Sequence, residues 1–117
     1  MKENIIVIKS FNFSMSILQL YKALVKQNEY VISKQLLRCS TSIGANIEEA
    51  GAAFSRKDFA LKMSIASKEA REARYWLRLL MEDAFIKDFD FSELIFEIDQ
   101  IINILTKIVK TAQENCK

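Results

Sequence analysis

Proline is absent from this chain of 117 residues, histidine is absent, and glycine occurs only twice. A β-rich or loop-rich domain needs turn-forming residues at many places, whereas a few long helices need almost none. Without histidine there is no Ser-His or Cys-His dyad and no Glu-x-x-His di-iron site. Glycine-rich phosphate loops and Cys-x-x-Cys pairs are missing as well. The longest apolar run, Ile5-Ile6-Val7-Ile8, is too short to span a bilayer and makes a poor signal-peptide core. A cytoplasmic, non-enzymatic protein with no cofactor and no metal is the expectation.

What is present points to a helical domain. Half of the residues are hydrophobic and 27% are charged, enough for a core and unlike a disordered chain. The length suits one domain spanning 1–117. Net charge is +2, near balance, so any case for nucleic acid must rest on where the charges lie. The two cysteines, Cys39 and Cys116, are expected to be free thiols.

Apolar spacing predicts four helices, at about 9–27, 31–53, 56–83 and 91–114. The first carries two stripes, Phe11-Met15-Leu18-Tyr21-Val25 and Phe13-Ile17-Leu20-Leu24, roughly 160° apart at about 100° per residue. Residues 4–8 either extend this helix or form a short extended arm. The second spaces Leu36, Ser40, Ile43, Ile47, Ala50 and Phe54 alternately four and three apart, the seam of knobs-into-holes packing. Small neighbours (Cys39, Ser42, Gly44, Ala45, Ala52) would let another helix approach closely. Gly44 costs about 1 kcal/mol relative to alanine within a helix, which close packing would offset.

The third helix opens on Ser55-Arg56-Lys57-Asp58, a Ser-x-x-acid capping pattern, and buries Phe59, Met63, Ala66, Ala70, Ala73, Leu77 and Leu80. Asp90 with Glu93 makes a second candidate cap. It precedes an inward stripe of Phe91, Leu94, Ile95, Ile98, Ile101, Ile102, Leu105, Ile108, Val109 and Ala112. Lys107 and Lys110 suit the negative pole of that last helix. Short links favour an all-α, antiparallel, up-down-up-down four-helix bundle.

Two features are left over. Phe13, Ile17, Leu20 and Leu24, with Leu61, Ile65, Trp76, Phe96 and Ile104, exceed what one bundle core consumes, and they are the candidate interface of a homo-oligomer. On the third helix Arg56, Arg71, Arg74 and Arg78 share a sector of roughly 60°, flanked by Lys57 and Lys68. Such a stripe can bind a phosphate backbone. A charged stripe is also the ordinary solvated face of a helix, with Glu72 and Glu82 in reach of Lys68 and Arg78 for helical ion pairs. Glu48 and Glu49 point about 100° apart and make no shared site. Glu49 is expected to pair with a basic residue of a neighbouring helix. Ser40, Thr41 and Ser42 have no visible base and read as polar packing, and Cys39 reads as a small hydrophobe.

The central residues carry a resemblance. Leu36-Leu37-Arg38, Thr41 to Ala50 (TSIGANIEEA), Ser55 to Phe59, Lys68 to Glu72 (KEARE) and Tyr75-Trp76-Leu77 are similar to the bacterial four-helix-bundle family named for open reading frames in 23S rRNA intervening sequences. The likeness covers nearly the whole chain. It departs in small ways: Cys39 stands where serine is common, and Arg74 falls at a variable position. The resemblance implies bundles assembled into rings, typically pentamers, and a likeness to the accessory variability protein of diversity-generating retroelements, a basic pentamer that binds nucleic acid. It does not single out residues. The nucleic-acid assignment to Arg56, Lys57, Lys68, Arg71, Arg74 and Arg78 comes from the stripe, with RNA or DNA as ligand. A protein-interaction scaffold is the competing expectation.

Overall fold

The computed structural model describes residues 2–116, with side chains from residue 5 onward. Four helices account for nearly all of them: α1 (Lys2–Lys26), α2 (Val31–Ala50), α3 (Arg56–Asp83) and α4 (Ser92–Asn115). Each touches two neighbours, in the cyclic order α1, α2, α3, α4 and back to α1, and among the described residues no diagonal pair is in contact. The bundle measures 48 × 21 × 21 Å. No helix among the described residues is long and apolar enough to cross a membrane.

Local chemistry explains each boundary. Residues 4–8 extend α1, where β-branched side chains at positions 5 to 8 ride on a helix with Ile6 in the core. Asn28 then takes a left-handed conformation (φ 69°), which asparagine tolerates better than most residues. The start of α2 is fixed by a carboxylate two residues ahead of it. Glu29 accepts the backbone N–H groups of Val31 (3.2 Å), Ile32 (3.0 Å) and Ser33 (2.6 Å), and Ser33 Oγ donates back to the Glu29 carbonyl (2.7 Å). These are donors that a helix start otherwise leaves without partners. The α2 helix stops at Ala50, three residues earlier than the spacing predicts, and Phe54 is 100% exposed rather than the last knob of the seam.

The cap of α3 follows expectation: Ser55 Oγ accepts the Asp58 N–H at 3.0 Å, while the Asp58 carboxylate accepts the Phe54 N–H at 3.2 Å. Asp90 works differently from the expected pairing with Glu93. It accepts the Ser92 N–H at 2.9 Å from two residues ahead of the helix.

The core settles which stripe of α1 faces inward. Phe13, Ile17, Leu20 and Leu24 are buried against α2 and α4, joined by Ile6. This corrects their assignment to an oligomer interface. A side chain that fills the core of its own chain has no surface left to offer. The outward apolar residues of α1 are Ile5, Ile8, Phe11 and Met15. In α3, Ala66, Ala70 and Ala73 are wholly buried beside Met63, Leu77 and Leu80, and α4 contributes Leu94, Ile98, Ile101, Ile102 and Leu105.

The close approach expected at Gly44 is milder than its sequence setting suggests. A Cβ there would lie 3.7 Å from Ser10 Oγ and 3.8 Å from Ser14 Oγ, ordinary van der Waals contact. Ser14 Oγ also bonds the Ser40 carbonyl at 3.2 Å, tying α1 to α2, while the buried Ser40 hydroxyl finds no partner among the described residues. The packing of one chain therefore does not require glycine at position 44. Gly44→Ala is expected to stabilise the fold by up to about 1 kcal/mol in urea denaturation, through helix propensity. A loss of stability would show that the neighbouring helix cannot accept the methyl group.

The Glu29 cap predicts a pH signature. Burial works against its charge, but the N–H groups of Ser33, Ile32 and Val31 outweigh it and hold the carboxyl below its ordinary value of 4.5. A group with a lowered folded-state pKa stabilises the fold fully above the unfolded value and loses that contribution as pH falls through the folded value. Glu29→Gln is therefore expected to cost about 1 kcal/mol at neutral pH. The gap to wild type should close as unfolding is followed to pH below 4.5. A gap independent of pH would remove the charge from the explanation.

Candidate nucleic-acid interface

The six cations singled out by spacing all lie on α3, and the structure sorts them into two groups. Arg56, Lys57, Lys68, Arg71 and Arg78 are exposed. Arg74 is half-buried, and its Nε donates to Asp99 Oδ1 on α4 at 2.6 Å. Its charge is matched by a carboxylate across the helix interface, so Arg74 serves the α3–α4 contact before it serves any ligand. Arg71 reaches the same neighbour through Thr106 Oγ1 at 3.1 Å, a neutral partner that leaves its charge uncompensated. Among the described residues none of the five exposed cations makes an ion pair.

Among the described residues neither helical pair expected on the stripe, Glu72 with Lys68 or Glu82 with Arg78, is formed. Glu72 turns the other way, toward α2, where Arg38 bridges it to Glu69 (3.2 Å from Arg38 to Glu69). The same Glu72 carboxylate accepts the Trp76 Nε1–H at 2.9 Å. Glu49 pairs across the α2–α3 contact with Lys62 at 3.1 Å, the kind of partner expected for it. Glu69 and Glu72 are thus drawn to the α2 side of α3, while Arg71 and Arg74 reach toward α4 and Glu82 stays exposed four residues after Arg78.

One cation was missed. Lys107 of α4 lines an open groove of about 680 Å³ together with Arg56, Ser55, Phe59, Thr111 and Asn115. Its position near a helix end gave it an adequate local role in the dipole, and 51 residues separate it from Arg56, so nothing local in the sequence joins them. The basic surface therefore continues from α3 onto α4.

Of the remaining candidate interface residues, Leu61 (58%) and Phe96 (61%) are strongly exposed. Ile65, Trp76 and Ile104 are half-buried, with Trp76 and Ile104 resting against the core. Exposed apolar surface thus exists on α1, α3 and α4, but not all at the residues the spacing nominated.

The thiols differ sharply. Burial pushes the Cys39 pKa up to about 12, with the nearby Glu72 charge adding to the effect. Cys116 is exposed. A thiol-specific disulfide reagent at pH 8 is expected to label one cysteine per native chain and both in guanidinium, since only the thiolate reacts. Rapid labelling of two in the native protein would mean that α2 opens readily.

Comparison with known proteins places these features in a family. A model of the 23S rRNA-intervening sequence protein family matches residues 2–107. Among solved structures, the chain is similar to a protein of unknown function from the S23 ribosomal protein family of Bacteroides thetaiotaomicron. The two are 46% identical with a TM-score of 0.89, over 94% of this chain and 99% of that one. No curated protein matches.

Proposed function

The chain belongs to the 23S rRNA-intervening sequence protein family, and from that premise we propose that it is a non-enzymatic, cytoplasmic helical protein that assembles into a ring and binds RNA or DNA through its basic face. The observation that carries the ligand is the set of exposed, uncompensated cations on α3: Arg56, Lys57, Lys68, Arg71 and Arg78. Guanidinium and ammonium groups released from internal ion pairs keep their full attraction for phosphate. A solvated face with no ligand usually intersperses both signs, whereas here the acids Glu69 and Glu72 are turned away to Arg38.

We read the bundle as up-down-up-down. Bonds between α2 and α3 join Glu49 to Lys62 and Arg38 to Glu69, and bonds between α3 and α4 join Arg71 to Thr106 and Arg74 to Asp99. In each pair of helices the residue numbers rise on one side as they fall on the other. Assembly is supported by apolar side chains left outside the core: Ile5, Ile8, Phe11 and Met15 of α1, Leu61 of α3 and Phe96 of α4. Five subunits, the number implied by the family likeness, would repeat one modest basic face around the ring.

Binding of an RNA probe is expected to weaken linearly in log–log form as salt rises, with a slope of roughly −0.7 to −0.9 per phosphate contacted. Arg71→Glu combined with Arg78→Glu should abolish it while light scattering reports an unchanged assembly. Unchanged affinity in that double variant would remove the proposed face. The competing reading, a scaffold for another protein, is favoured by the exposed stripe of α1. Retention of a stoichiometric protein partner after nuclease treatment, with no affinity for nucleic acid, would select it.

A further inference from the structure

Tyr75 is the feature of the basic face that charge does not explain. It is 52% exposed on α3, four residues after Arg71, three before Arg78 and seven after Lys68. Helix residues three or four apart are neighbours, with Cβ atoms roughly 5–6 Å apart, so Arg71 and Arg78 flank the tyrosine directly. An exposed tyrosine normally samples several orientations. This one meets the Trp76 ring edge-to-face, with centroids 5.2 Å apart and planes at 70°.

Trp76 is itself held in place. Its Nε1 donates to Glu72, and Glu72 is bound by Arg38 of α2. The chain of contacts therefore runs from α2 through Arg38, Glu72 and Trp76 to the Tyr75 ring. It orients an aromatic surface between cations before any ligand arrives. Preorganisation of this kind lowers the entropy lost on binding.

A phosphate backbone alone has no use for such a ring. Bases stack on aromatic side chains when they are unpaired or splayed out, and in a duplex their faces are covered by the neighbouring pairs. We propose that Tyr75 is a base-stacking platform and that the ligand of the basic face is a single-stranded segment of nucleic acid rather than a duplex. This rests on the nucleic-acid reading above. Arg71, Arg78 and Lys68 would hold phosphates on either side while one base lies on the ring.

Fluorescence anisotropy with two RNA probes of about 15 units, an unstructured single strand and a perfect duplex, tests the inference at one salt concentration. The wild-type protein should prefer the single strand. Tyr75→Ala should weaken single-strand binding about tenfold or more, as loss of one base stack does, and leave duplex binding unchanged. Tyr75→Phe keeps the ring and should bind as wild type. Equal loss on both probes, or no loss on either, overturns the stacking role while leaving the basic face in place. A changed assembly mass for Tyr75→Ala overturns it too, by making Tyr75 a subunit contact. No binding of either probe by the wild-type protein would sink the nucleic-acid reading itself.

Discussion

Ala66, Ala70 and Ala73 lie along the middle of α3, wholly buried, and present almost no side-chain bulk to the helices on either side. Because they are small, α2 and α4 can both close on α3, with Met63, Leu77 and Leu80 filling the core around them and charged side chains left at the rims of those contacts. Everything at the rims follows from that closeness. Arg38 reaches Glu69 and Glu72 from α2, and Arg74 reaches Asp99 on α4, across these contacts. Bulkier residues on this stripe would widen the gaps and loosen both sets of bonds, freeing Glu69 and Glu72 from Arg38. The electrostatics of the surface thus depend on the packing of the interior.

Much of this was legible in the sequence. The span of α3 was readable to the residue, because Ser55 and Asp58 write a cap in neighbouring letters and Ala66, Ala70, Ala73, Leu77 and Leu80 repeat at helical spacing. The seam of α2 was readable for the same reason, up to Ala50. Phe54 was misread because the four-and-three spacing continues one step past the end of the helix, and apolarity alone cannot show where a backbone turns. The cap on α2 went unread because the capping group is a glutamate two residues ahead of the helix, outside the usual Ser-x-x-acid pattern.

The first helix shows a harder limit. Its two stripes are both apolar, so periodicity shows that two faces exist without saying which is covered. The answer depends on partners far away in the sequence. Serines at 10 and 14 lie beside Gly44 and Ser40 of α2, which turns Phe13, Ile17, Leu20 and Leu24 inward and leaves Phe11 and Met15 outside. The same limit applied to the cations. Four arginines in one sector looked equivalent until α4 supplied Asp99 to one of them and Thr106 to another. Sequence spacing locates a charge on its own helix, but whether that charge is spent depends on the helix beside it.

That distinction also bears on why a protein near electrical balance can present a basic face. With 17 basic and 15 acidic residues, the excess is too small to make the whole surface attractive to phosphate. The separation comes from where the acids are held. Glu49 is tied to Lys62, Glu69 and Glu72 to Arg38, and Asp99 to Arg74, so carboxylates of the three contacting helices sit in the grooves beside α3. Each such pair adds little stability at an exposed site, on the order of 1 kcal/mol or less. Its larger consequence is spatial, because an acid engaged in a groove does not neutralise an arginine on the crest. Glu72 does a second thing from the same groove by fixing Trp76 and, through it, the Tyr75 ring. One carboxylate therefore keeps its own charge away from Arg71 and Arg78 and orients the aromatic ring between them, so that on the nucleic-acid reading proposed above a structural ion pair would shape the recognition surface without touching the ligand.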